Sequence, residues 1–435
     1  MRKLFFIDDS LANKISYYHL LLLLISLPFD YFYSHVIIIS FTIHTLIQFK
    51  KSAVKPMLTL QNVVLVSVFM ITLICTTYSA YKKEAYTELG RQIVILIFPL
   101  LFCINPLDIR KYKTQLLLGF ALYCTGTTLY LFADAFRVIR YYHYPVSTIF
   151  SHAFTNHNFS NPIGMHATFL SLQLGLALIY LLAIVVKKGA WSTRIFYAIC
   201  CCILTAGLIQ LSSKSVFAVV FVVVNFGFPI FILHGRKRIM FLVAAIGVSA
   251  VLLVSIFNIT TFRERYIKDL TEDLSRTPAE GTLDSRIERW GASVHLIGQS
   301  PIVGHGSGSE LPLLKDEFFK RKLYNSFLNG LNSHNQYLSF LLKSGVLGLL
   351  VYLFTLAYGF SRAFKTKDIV FVAFMLLIAI VSLSENILDV DKGTMFYGFF
   401  YSFFIFSMPK LNPYATCYTD PIKSEFILPE KQPVE

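Results

Sequence analysis

Apolar runs of roughly 18 or more residues return along almost the whole of this chain, and no other feature narrows its fold as far. Hydrophobic residues make up 55% of the sequence and charged residues only 15%, where a soluble protein would carry about 25% charged. Mean hydropathy is +0.60. The chain therefore reads as an all-α polytopic membrane protein. The pattern argues against a β-barrel, whose strands would alternate polar and apolar with period two.

About twelve spanning segments are predicted, near 16–29, 35–49, 58–79, 92–105, 115–133, 165–186, 195–212, 215–234, 239–258, 335–361, 368–385 and 395–408. The first carries no small-residue cleavage site and reads as an uncleaved helix. Four regions follow. Residues 1–258 hold nine helices with short loops, 259–334 form one long loop, 335–408 hold three more helices, and 409–435 are a tail.

The formal charge of +14 suggests nucleic acid until its distribution is considered. Basic residues cluster at every second exit: Arg2, Lys3 and Lys14; Lys50, Lys51 and Lys55; Arg110, Lys111 and Lys113; Lys187, Lys188 and Arg194; Arg236, Lys237 and Arg238; Arg362, Lys365 and Lys367; Lys410, Lys423 and Lys431. That is a positive-inside pattern, not a nucleic-acid surface, and it predicts both termini in the cytoplasm. The opposite side receives 80–91, 134–164, the SSKS turn at 212–215, the loop 259–334 and 386–394. The long loop has ten Lys or Arg and ten Asp or Glu, so its cations must be judged one by one. Within it, 311–328 has the pattern of an amphipathic helix, either lying in the membrane interface or closing the bundle as a lid.

Several residues are candidates for chemistry. Arg286 and Arg289, in DSRIERW, share a face if helical. They then make a fork for a phosphate or diphosphate, or pair with Asp284 and Glu288. SPIVGHGSG (300–308) is a Gly-rich turn containing His305; it either offers backbone amides to an anion or is simply a tight loop. His334 precedes an apolar helix, with Asn332 or Ser333 as candidate N-cap. There its charged form is disfavoured and it can accept a proton, or it serves only in hydrogen bonding. Lys214, in the SSKS turn, and Arg91, at the start of the fourth helix, either snorkel or face a cavity. Lys343, early in the tenth helix, faces the bundle interior or snorkels. Asp389 and Asp391 read as a turn or helix cap before a metal pair. His143, His152, His157 and His166 lack metal-ligand spacing. Six of the seven cysteines fall in apolar runs as small core residues, and Cys417 lies in the tail.

Taken together, SRIERWGASVHLIGQSPIVGHGSG and HNQYLSFLLKSGVLGLL resemble the signature region of the O-antigen ligase/O-antigen polymerase superfamily. PIGMHATFLSL (162–172) and SENILDVDKGTMFYGFF (384–400) are similar to its middle and C-terminal segments. The resemblance implies a GT-C-like membrane glycosyltransferase of the bacterial inner membrane, with about twelve helices and one long periplasmic loop. It implies a glycan donor carried on undecaprenyl diphosphate, a lipid A-core acceptor, and no metal or other cofactor. Residue by residue, it places the loop arginine on Arg286, the histidine on His334, and a second arginine on Lys214, where lysine keeps the charge but not the bidentate geometry. Arg289 and Arg91 join these as candidate diphosphate contacts, with Arg286 and His334 as the catalytic pair. Of the family's activities the ligase is preferred, because the His-Asn-Gln-Tyr-Leu match is close; the alternative is a polymerase joining repeat units on the same carrier. A transporter or flippase would tend to show internal repeats and polar residues at the membrane midplane. The sequence shows neither.

Overall fold

The computed structural model describes residues 5–51, 54–187, 190–268, 270–271 and 284–409. Arg2, Lys3, Lys188, Lys410, Lys423, Lys431 and Cys417 lie outside the described residues, as do most of 269–283 and the tail from 410.

Among the described residues every regular element is helical. The main helices are α1 Leu11–Ser26, α2 Tyr31–Ile47, α3 Leu60–Tyr78, α4 Lys82–Ile104, α5 Ile109–Tyr141, α6 Ala167–Val186, α7 Trp191–Leu211, α8 Lys214–Phe231, α9 Gly235–Asn258, α10 Arg286–Gln299, α11 Glu310–Lys320, α12 Tyr324–Leu328, α13 Gln336–Lys365, α14 Ile369–Val381 and α15 Asp391–Phe406. Each predicted span overlaps a helix, but 368–385 overruns α14, which ends at Val381 and leaves Ser384 and Glu385 outside it. Eight of the helices (α3 to α9 and α13) are long and apolar enough to cross a membrane, and α2 and α14 are shorter apolar helices. The chain is a multi-pass membrane protein.

Polar side chains set the starts of these helices. Asp30, Thr59, Asp108 and Asp368 each accept a hydrogen bond from a backbone N–H in the first turn that follows. Helix α6 is mostly buried, whereas α9 is almost wholly exposed. Thus α6 is the centre of the bundle, packed on α5, α7, α8 and α14, while α9 turns nearly all of its apolar surface outward. A second bundle face joins α3, α4, α13 and α15.

Four further expectations need correction. The fourth helix begins at Lys82, ten residues before the predicted start, so 80–91 is mostly helix and Arg91 sits in its interior. The charged residues there are tolerated because Glu88 is paired inside the protein (below). Helix α5 runs on to Tyr141, beyond the predicted end at 133. The segment 311–328 is not one helix: α11 and α12 are separated by a turn at 321–323 with Lys322 at φ 60°. The buried Leu314 and Phe318 of α11 pack with Ala292, Leu296 and Leu342, so its apolar face meets α10 and α13, as a lid does. Cys202 is exposed, whereas Cys75, Cys103, Cys124, Cys200 and Cys201 are buried.

Candidate active site

The Gly-rich turn 300–308 is a tight loop that completes α13. Its amides are used within the protein: His305 N donates to Leu342 O, Gly306 N to Lys343 O and Gly308 N to Glu88 Oε2. In return Val346 N donates to Pro301 O, and α13 breaks at Gly345 (φ 61°) to receive the turn. A Cβ on Gly304 (φ 70°) would overlap the Lys343 backbone, and one on Gly345 the Ile302 carbonyl. His305 is tucked in, its Nε2 2.9 Å from Leu296 O.

Beneath this turn lies a buried ionic network. Lys343, 3% exposed, reaches Glu88 Oε1 at 2.6 Å and Asp389 Oδ1 at 2.7 Å. Asp389 Oδ2 also accepts from Asn386. Lys343 therefore faces the interior, and Asp389 serves as its counter-charge. Arg91 engages the same segment, its Nη1 3.2 Å from Asp389 O and its Nε 3.6 Å from Asp391 Oδ2.

The tripeptide Ser384-Glu385-Asn386, just after α14, draws two of the predicted site residues, His334 and Arg286, together. Glu385 Oε2 lies 3.2 Å from His334 Nδ1. Arg286 Nη1 donates to Ser384 O at 3.2 Å. The Ser384 hydroxyl lies 2.9 Å from that of Ser215, the neighbour of Lys214. Lys214 is thus the first residue of α8, and only Ser212 and Ser213 remain of the expected turn. Of Asp284 and Glu288, the alternative partners of the arginines, Asp284 accepts from Ser326 N and Glu288 forms a capping box with Ser285. Arg286 is half-buried on the first turn of α10, while Arg289 is enclosed at 6% exposure, so the two guanidiniums do not stand equally open.

His334 lies outside α13. Its N-cap is Asn335, whose side chain accepts from Tyr337 N and Leu338 N, rather than Ser333 or Asn332. Asn332 instead accepts from His334 N at 2.9 Å. His334 adopts φ 46°, in the left-handed region that residues with a Cβ seldom occupy.

Burial would raise the Glu385 carboxyl, but the hydrogen bond and charge of His334, with His166 and Arg286 nearby, outweigh it and hold Glu385 below its usual range. An ionised Glu385 only accepts, so the proton of a neutral His334 sits on Nδ1, and Nε2 carries the lone pair. Glu385 Oε1 also accepts from Thr168 at 3.4 Å.

His166, the N-cap of α6, is exposed on one side but has protein around its imidazole; burial lowers it to about 4, and His157 and His334 add to that while Glu385 opposes it. The rings of His157 and His166 lie 4.2 Å apart, whereas His152 pairs with Glu264 at 3.1 Å. Among the described residues no three His, Cys, Asp or Glu are grouped to hold a metal ion.

Sequence reasoning missed Glu385, Asn386 and Glu310. The available signal for Glu385 is its position, as the first acid after the apolar run of α14, in a segment that itself resembles the family.

Residues 195–353 match the family model described as O-antigen ligase. This segment holds Lys214, Arg286, Arg289 and His334, and it supports the ligase/polymerase superfamily resemblance; Glu385 and Arg91 lie outside it. An uncharacterized protein of Haemophilus influenzae is similar to the chain, 26% identical over 253 residues. That alignment takes in 54% of this chain and 63% of the relative, so less than two thirds of the relative's length is covered.

Proposed function

We propose that the chain is an O-antigen ligase, a glycosyltransferase that moves a polysaccharide from undecaprenyl diphosphate to a lipid A-core acceptor at the periplasmic face of the inner membrane. The observation that carries this reading is the meeting of His334 with Glu385, and of Arg286 with Ser384, on adjacent residues.

On this reading the acceptor hydroxyl gives its proton to His334 Nε2 as its oxygen attacks the anomeric carbon. The bond from that carbon to the diphosphate breaks, and its electrons leave with the diphosphate. Arg286 and Lys214 meet the added negative charge, with Arg289 and Arg91 as further contacts. Glu385 stabilises the imidazolium that forms. A single displacement inverts the anomeric configuration; a product that keeps the donor's configuration would refute it.

The family match serves a polymerase equally well, and one experiment separates the two. A lipopolysaccharide gel of a deletion strain, with analysis of carrier-linked glycans, shows bare core and full-length polymer stranded on the carrier if the chain is a ligase. Core bearing one repeat unit, with the ladder gone, means polymerase. An unchanged profile rejects both.

A further inference from the structure

The turn that carries His334 is pinned on both sides by side chains that touch no part of its ring. Ser333, fully buried, donates to Glu310 Oε1 from its backbone N at 3.0 Å and from its hydroxyl at 2.7 Å. Asn335 N donates to Asn386 Oδ1 at 2.8 Å. The carbonyl of Ser333 accepts from Trp290 Nε1 at 3.0 Å. Glu310 and Asn386 are also bonded to each other: Asn386 Nδ2 lies 3.0 Å from each Glu310 oxygen. The hydroxyl of Ser339 completes the shell of Glu310.

Every partner of Glu310 named here is a donor, which is what a carboxylate at 4% exposure requires. Asn386 has a single workable orientation, since its oxygen must accept from Asn335 N and its amide must face Glu310 and Asp389. The two residues arrive from separate parts of the chain: Glu310 begins α11, and Asn386 directly follows the partner of the His334 ring. Asn386 thus fixes the backbone beyond His334 while Glu385 fixes its ring, and Glu310 fixes the backbone before it. A left-handed residue with a Cβ persists only where its surroundings impose that conformation, and these contacts supply the constraint.

We infer that Glu310 and Asn386 are positioning residues for the transfer reaction, clamping residues 333–335 so that His334 is held in its left-handed conformation with its ring on Glu385. This rests on the proposed role of His334 as general base. The clamp predicts that alignment of the base depends on docking of α11.

The test is steady-state transfer in detergent, using the carrier-linked glycan and lipopolysaccharide acceptor purified from the deletion strain. Glu310→Gln and Asn386→Ala should each lower kcat about 10²-fold, the scale of a misplaced reacting group, with the donor KM changed less than about twofold. In a His334→Ala background neither should lower the residual rate further, because there is no base left to align. Two results would overturn the clamp: a folded Glu310→Gln protein with unchanged kcat, or losses that add to that of His334→Ala. If Glu310→Gln does not fold, Ser333→Ala removes one hydroxyl donor and carries the same test. A folded His334→Ala protein with near-full activity is a different outcome, and it defeats the functional reading itself.

Discussion

Lys343 Nζ and Glu88 Oε1 stand 2.6 Å apart, although 255 residues separate them in sequence. With Asp389 on its other side, the lysine joins α4, α13 and the segment before α15. Removing one partner of a buried ion pair leaves the other charged and unsatisfied, at a cost of about 3–5 kcal/mol. Lys343→Met should therefore lower the thermal midpoint in detergent far more than a lysine-to-methionine change at the exposed Lys320. Equal midpoints for the two variants would show that the network contributes nothing.

Glu385→Gln keeps the size of the side chain but removes the acceptor-only carboxylate. Glutamine can turn its amide to His334, leaving the ring in either tautomer, and it cannot stabilise imidazolium. Transfer should fall by about 10²–10⁴-fold, the usual contribution of a positioned acid or base. The check is the single-turnover rate at saturating donor, and near-wild-type turnover would remove Glu385 from the mechanism.

Arg286 and Lys214 make opposite predictions under charge-conserving exchange. Arg286→Lys loses the planar guanidinium that donates to Ser384 O, and with it bidentate geometry. It should weaken donor use about tenfold or more, since one charge-assisted hydrogen bond is worth roughly 1.5–3 kcal/mol. Lys214→Arg should retain activity, and Lys214→Ala should lose it. If Arg286→Lys and Lys214→Arg behave alike in kcat/KM, bidentate recognition is not in use.

Acid should act on the fold through His166 before Glu385. His166 falls from 6.5 to about 4 on folding, so between those values the unfolded chain binds more protons and stability rises with pH. Its contribution is whole above 6.5 and is lost as pH falls toward about 4. Glu385, held below its usual range, gives a contribution that is whole above the usual carboxylate range and is lost as the pH falls from there through the lowered value. His157, Glu385 and His334 surround the His166 ring and stay in place in a His166→Gln variant. From about pH 7 to about pH 4.5 the wild-type midpoint should fall more than that of His166→Gln; parallel curves would mean His166 does not titrate as stated.

The helices were legible because apolar runs announce themselves whatever their neighbours do. The start of α4 was not, since Glu84, Glu88 and Arg91 interrupt the apolar pattern and the residue that neutralises Glu88 comes much later in the chain. His334 and Arg286 were legible through resemblance. Their common ground at Ser384-Glu385-Asn386 was not, because the role of a carboxylate depends on what faces it. The sequence singled out Asp389 and Asp391 from the same stretch, and the structure makes Asp389 a counter-charge for Lys343. The positive φ of His334 carries no signature in residue type, unlike those of Gly304 and Gly345.

The break in α13 at Gly345 also bears on how the protein is assembled. Around that break the backbone hydrogen bonds are completed by 301–306, so this segment cannot form as an independent helix in lipid. It also carries Lys343, whose counter-charges lie on other segments. Ribosomal order helps here, because α3, α4 and the Gly-rich turn are all synthesised before α13 emerges. Other partners of this stretch arrive afterwards: Asp389 for Lys343, and Ser382 and Leu388 for Gln336. The first part of α13 is thus the keystone of this end of the bundle, holding together segments made before it and segments made after it.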